Sequence, residues 1–181
     1  MLAASGKLNL KMGGDSVFIP VEPDLVNALY KPAQWAITRD KQEHYRRLAG
    51  AGPALVHGVA AFVGELAARG VPRAVATSAS RHDVESLLIK GGLRDRFAVV
   101  VAAEDVHRGK PDPEVYLLAA LRLGATPEHC LVFEDAVVGV QAARSAGMRA
   151  IGVSTAHTED ELRAAGAERA VADFEGMTWP A

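Results

Sequence analysis

From Val56 to Phe174 the chain repeats one pattern. A short apolar run is followed by a turn of small or capping residues, then a stretch with apolar positions three and four apart. Apolar runs of this length read as strands and the helical-period stretches as helices. Strands are expected at Arg73–Thr77, Phe97–Val101, Leu131–Phe133 and Arg149–Val153, with a last short one in Ala170–Phe174. The helices between them carry start and stop signals. Val59, Phe62, Val63 and Leu66 mark one that Gly70 ends. Ser80 to Asp83 has the shape of a capping box with Asp in place of Glu, and Asp112-Pro113-Glu114 is a compact start for a helix that Gly124 stops. Thr158-Glu159-Asp160-Glu161 is a further capping box. Strands alternating with helices build right-handed crossover units, hence an α/β fold around a mostly parallel sheet.

The run Cys130 to Phe133 ends in two adjacent carboxylates, Glu134 and Asp135, before another helical pattern (Val137, Val140, Ala143) that Gly147 stops. Open parallel sheets bind ligands at the carboxyl ends of their strands. Two carboxylates there raise each other's pKa, and a hard divalent cation such as Mg²⁺, which takes oxygen ligands, relieves that cost. On this stretch alone the pair reads equally as solvated turn and N-cap residues.

Two further features belong to the same edge of the sheet. Thr77-Ser78-Ala79-Ser80 ends one strand and begins a helix, where hydroxyl and N–H groups suit an anion. Ser80 is expected to be only the cap; Ser78, one residue past the strand, is the better ligand. Gly109-Lys110-Pro111-Asp112-Pro113 holds a lysine in a stiff turn ahead of a helix. A hydroxyl, a fixed cation and paired carboxylates form an inventory for phosphoryl transfer, where catalysis is mostly positioning and charge stabilisation.

The segment before the regular pattern is less uniform. Lys7–Met12 and Val17–Ile19, around Gly13-Gly14, read as a hairpin. Residues 23–50 read as helical, broken at Pro32, with Thr38 able to cap a charged helix to about Leu48. Gly50–Pro53 is the expected connector, giving an N-terminal piece over 1–52 and a main domain over 53–181.

Composition excludes several classes. A net charge of −2 over 181 residues gives no general attraction to nucleic acid or an anionic membrane. No apolar run approaches the roughly 20 residues that span a bilayer, and Met1–Ser5 is too short and uncharged for a signal peptide. The one cysteine, Cys130, excludes an internal disulfide, and its apolar strand makes it a core thiol rather than a nucleophile. A cytoplasmic location is the default expectation.

From about Val56 to Val153 the chain resembles the haloacid dehalogenase superfamily, within it the β-phosphoglucomutase-like phosphatases and mutases. Val75-Ala76-Thr77-Ser78-Ala79-Ser80-Arg81 is similar to that group's second motif and Gly109-Lys110-Pro111-Asp112-Pro113-Glu114-Val115-Tyr116 to its third. Cys130 to Val140, with Ala142-Ala143 and Ala146-Gly147-Met148, is similar to the fourth. Val56-His57-Gly58-Val59 stands where the family usually has Pro-Gly-Val, with His57 in the proline's place.

The resemblance implies a Rossmann-like three-layer core, with residues 23–50 as the remnant of a mobile helical cap. It also implies roles. Ser78, with the Ala79 backbone, would bind the transferring phosphoryl group; Lys110 would neutralise its charge; Asp135 would ligate Mg²⁺, with Glu134 beside it. The expected partner is a small phosphorylated metabolite.

The family opens with an apolar strand ending in Asp-x-Asp-Gly, whose first aspartate accepts the phosphoryl group and whose second is the general acid/base. This sequence contains no Asp-x-Asp. Asp15 follows Gly-Gly and precedes an apolar run, the wrong context. The expectation is therefore a phosphatase- or mutase-type protein impaired as written, through a chain that starts late or through loss of the motif by descent. The alternative is a non-catalytic relative that binds a phosphate ester or a protein. Mg²⁺ would be held weakly by Glu134 and Asp135 alone. A strand from residues 7–20 is expected beside Leu131–Phe133; if residues 1–20 left the sheet, the open edge would favour a homodimer.

Overall fold

The computed structural model describes residues 2–4 and 55–180. They form one six-stranded sheet, every pair parallel: β1 (Leu2–Ala4), β2 (Ala74–Thr77), β3 (Val99–Val101), β4 (Leu131–Glu134), β5 (Arg149–Val153) and β6 (Arg169–Val171). The order is β3-β2-β1-β4-β5-β6, in which the winding reverses between β1 and β4. That reversal opens a crevice at the carboxyl ends of the central strands, the ligand position of doubly wound sheets.

Among the described residues five α-helices follow from the sequence pattern: α1 (Val59–Ala68), α2 (Arg81–Lys90), α3 (Glu114–Leu123), α4 (Val137–Ser145) and α5 (Glu159–Ala164). Their ends are chemically set. Ser80 Oγ accepts from Asp83 N, and Asp112 Oδ1 accepts from Glu114 N at 3.0 Å. Thr158 and Glu161 form a reciprocal capping box. Gly124, at φ +67°, closes α3 in the left-handed conformation that a side chain would penalise.

β2 and β4 are buried along their whole length and β5 from Ala150 on, so these strands are covered on both faces, as a parallel sheet requires. On one face Val75, Val100, Leu131, Phe133, Ile151 and Val153 pack against α1 and α2 residues such as Phe62, Leu66, Val84 and Leu88. Phe62, Phe133 and Phe174 form an aromatic cluster there, with centroids 5.3–5.6 Å apart. On the other face Ala74, Ala76, Val101, Val132 and Ala150 meet Val115, Tyr116, Val140 and Leu162 of α3, α4 and α5. The smaller sheet residues on this second face meet three helices rather than two. Gly152 of β5 lets α5 come close, since a Cβ there would meet Leu162 Cβ at 2.8 Å.

One expectation is corrected. The place beside β4 is taken by Leu2–Ala4, not by a strand from residues 7–20. Leu2 pairs with Val75 on one side and Phe133 on the other, so its backbone groups are satisfied from both neighbours. Residues 2–4 thus belong to the core sheet and not to a separate N-terminal piece. The hairpin around Gly13-Gly14 and the helices expected in 23–50 lie outside the described residues. Smaller shifts also occur. The last strand covers Arg169–Val171 and leaves Phe174 outside it, where its ring fills the aromatic cluster. No helix among the described residues is long and apolar enough to cross a membrane.

Candidate active site

Glu134 is the last residue of β4 and Asp135 the next, and both are buried, at 1% and 2% exposure. This removes the reading of a solvated turn. Nor is Asp135 the helix cap: Ala136 holds that position in α4 without a side-chain bond.

The two carboxylates have different surroundings. Glu134 points into the face covered by α3 and α4. Its Oε2 accepts from Tyr116 Oη at 2.6 Å and from Lys110 Nζ at 3.0 Å, and its Oε1 accepts from Ala136 N at 3.3 Å. A Cβ on Gly139 would overlap the Glu134 carboxyl group, so only glycine lets α4 cross there. Lys110 comes from the loop before α3. Its side chain is only 2% exposed, although its loop lies at the surface. Nζ also reaches Ala76 O at 3.5 Å and stands 4.7 Å from the Tyr116 ring centroid, a cation–π distance. Burial lowers the lysine pKa, opposed by Glu134. Burial, reinforced by Glu134, pushes the Tyr116 hydroxyl well above its ordinary value, so tyrosine stays a neutral donor.

Asp135 has a looser shell. Thr155 Oγ1 donates to its Oδ2 at 3.1 Å, and His157 Nδ1 lies 3.1 Å from its backbone carbonyl oxygen. Oδ1 is buried with no hydrogen-bond partner among the described residues. Burial first, then the neighbouring Glu134, hold the Asp135 pKa well above the usual carboxylate range. A buried carboxylate oxygen without a partner is costly. A cation at Oδ1 would supply both the missing partner and the opposing charge, so the donor chemistry fits Mg²⁺.

Ser78 lies in the bend after Thr77, the last residue of β2. Ala4 is level with Thr77, so the end of β1 lies between Ser78 and Asp135, with about 10 Å of sheet, two strand spacings, between the flanking strands. Ser78, Lys110 and Asp135 therefore share one edge of the sheet. The Ala79 N–H is turned onto Thr77 Oγ1 at 3.0 Å. Ser80 Oγ serves α2, accepting from Asp83 N and donating to Asp83 Oδ2 at 2.7 Å. Cys130 is buried and burial raises its thiol pKa, which suits an inert core residue.

Five contributors to this arrangement were not singled out by the sequence pattern: Thr77, Tyr116, Gly139, Thr155 and His157. Tyr116 carried a signal, since a tyrosine on the buried stripe of a helix must find its hydroxyl a partner. Gly139 carried another, as an interior helix glycine costs about 1 kcal/mol against alanine and marks a close approach. Thr155 and His157 follow β5, where ligand-facing loops are expected.

Residues 17–147 match the family described as haloacid dehalogenase-like hydrolase. The chain is 50% identical over 82 residues to the fructose-1-phosphate phosphatase YqaB of Escherichia coli, covering 45% of this chain and 44% of the relative. It is 36% identical over 129 residues to the chloroplastic 5-amino-6-(5-phospho-D-ribitylamino)uracil phosphatase of Arabidopsis thaliana, covering 71% and 35%. Against these two relatives the chain spans less than half of their length. Among solved structures, CbbY from Rhodobacter sphaeroides in complex with phosphate superposes with a TM-score of 0.70 at 33% identity, over 81% of this chain and 66% of that one. A hydrolase of family IA, variant 3, from Entamoeba histolytica gives 0.74 at 25% identity, over 89% and 82%. The doubly wound sheet, the carboxylate pair ending β4, the lysine that reaches it and the match over residues 17–147 agree, and the chain belongs to the haloacid dehalogenase-like hydrolase family.

Proposed function

We propose that this chain has the binding half of a Mg²⁺-dependent phosphatase or phosphomutase for small phosphorylated sugars and lacks the nucleophilic half. The observation that carries this reading is the end of β1. Its last residue, Ala4, is level with Thr77 between Ser78 and Asp135, and Ser5-Gly6 follow in sequence. The position that in the family carries the phosphoryl acceptor holds no aspartate. Without one no aspartyl-phosphate forms, and the two-step covalent route is closed.

The remaining groups have separate tasks. Asp135, through Oδ1, is the direct Mg²⁺ ligand. Glu134 is turned onto Lys110 and Tyr116 and acts on the metal through charge. Mg²⁺, when bound, neutralises phosphate charge. Ser78 offers a hydroxyl to a phosphate oxygen, and the Ala79 N–H joins it on release from Thr77. Lys110 contributes positive charge from a dry position, where it acts more strongly than in water. The substrate class rests on relatives named as phosphatases of phosphorylated sugars and sugar derivatives.

The test is turnover of a generic phosphate ester by purified protein in excess Mg²⁺, beside calorimetric titration with inorganic phosphate. Expected are negligible hydrolysis and weak phosphate binding that both Ser78→Ala and Lys110→Ala reduce. Since Lys110→Ala leaves Glu134 short of its cation, the Ser78→Ala variant decides if the lysine variant unfolds. Robust Mg²⁺-dependent turnover abolished by Asp135→Asn would refute the proposal and make Asp15 the first residue to test as nucleophile. A protein that neither turns over an ester nor binds phosphate would instead be a protein-binding relative.

A further inference from the structure

We propose that His57, Asp173 and Glu175 form a site for a divalent transition ion of the zinc, cobalt or nickel class, apart from the carboxylates that end β4. His57 stands just before α1, and the two carboxylates follow β6 on either side of Phe174, which packs in the core on the sheet face opposite that of Tyr116. One donor atom from each residue lies within 4.8 Å of the other two. His57 Nδ1 is 3.4 Å from Glu175 Oε2 and 3.8 Å from Asp173 Oδ2. A tetrahedral ion with bonds of 2.0–2.1 Å separates its donors by about 3.3 Å, so small side-chain movements suffice to close the shell.

The main chain beneath these donors is fixed. Phe174 N donates to His57 O at 2.9 Å. Gly58, at φ +77°, lies flat on the neighbouring segment, and a Cβ there would come 2.5 Å from the Phe174 carbonyl carbon. The Phe174 ring, 1% exposed, is locked against Phe62 and Phe133. Asp173 Oδ1 accepts from Glu175 N at 2.7 Å, which orients the carboxylate and leaves Oδ2 toward the imidazole. The backbone thus holds two carboxylates beside one imidazole, and their mutual repulsion falls when a cation enters. Imidazole with carboxylates suits zinc-class ions, whereas magnesium and calcium take oxygen ligands. The side chains are 66%, 35% and 73% exposed, so a tetrahedral ion would keep a solvent position. Bound metal would tie the segment after β6 to the start of α1.

The test is isothermal titration of tag-free protein with Zn²⁺, with Co²⁺ absorption as a second readout of tetrahedral coordination. Expected is one saturable site per chain and a melting temperature that rises with Zn²⁺ but responds differently to Mg²⁺. His57→Ala should weaken Zn²⁺ binding at least tenfold, Glu175→Gln and Asp173→Asn should each weaken it, and Asp135→Asn should leave it unchanged. These three side chains are partly or largely exposed, so the variants keep the fold, and circular dichroism checks that they do. Absence of a saturable site, binding unchanged in the His57→Ala, Glu175→Gln double variant, or loss of binding in Asp135→Asn would each overturn the proposal.

Discussion

Replacing Asp135 with Asn should stabilise the metal-free protein. The residue is 2% exposed and beside Glu134, with Oδ2 bonded to Thr155 and Oδ1 without a partner among the described residues. A buried polar group left without a partner costs about 1–3 kcal/mol, more if charged. Asn keeps the shape and an acceptor for Thr155; its amide nitrogen takes the unpartnered place of Oδ1, so the gain comes from removing the buried charge that Glu134 opposes. The expected gain at neutral pH is about 1–3 kcal/mol, roughly 2–10 °C in Tm for a chain of this size. The sign with pH follows from the raised Asp135 pKa. The folded state holds this proton more tightly than the unfolded state, so the residue's contribution is most favourable below the ordinary Asp value and is lost as pH rises through the folded pKa. The variant's advantage should therefore shrink as pH falls through that window. The assay is thermal unfolding of both proteins with chelator at several pH values, then with excess Mg²⁺. Mg²⁺ should raise the wild-type Tm and close the gap. A variant less stable than wild type in chelator at neutral pH, or a gap that Mg²⁺ leaves untouched, would refute the account of Oδ1.

Tyr116→Phe keeps the ring in the core and deletes the 2.6 Å bond to Glu134; bonds to charged groups contribute about 1.5–3 kcal/mol. Urea unfolding should show a loss of that size, and an unchanged midpoint would mean that Lys110 alone satisfies Glu134 Oε2. Gly139→Ala should lose about 1–3 kcal/mol through overpacking against Glu134, in spite of alanine's better helix propensity. A stabilised Gly139→Ala variant in the same assay would show that α4 can move away from the carboxylate at little cost.

The local elements were legible because their causes are local. Ser80 and Thr158 cap α2 and α5, Gly124 ends α3, and the apolar runs of β2, β4 and β5 fall within a residue or so of their expected bounds. The parallel order of these strands made it legible that Ser78, Lys110 and Asp135 share an edge, because loops after parallel strands all open on one side. The central strand was not legible. Leu2-Ala3-Ala4 has no alternation and no β-branched residue, and pairing with Val75–Thr77 on one side and Phe133 on the other makes it a strand. The division of labour in the carboxylate pair was hidden for a related reason. Glu134 and Asp135 are neighbours in sequence with the same charge. Only packing turns one onto Lys110 and Tyr116, brought by the loop before α3 and by α3 itself, and leaves the other with an oxygen that faces no donor among the described residues. Capping and periodicity act over a few residues and can be read along the chain, whereas a buried group's partners arrive from distant segments and exist only once the sheet has brought them together.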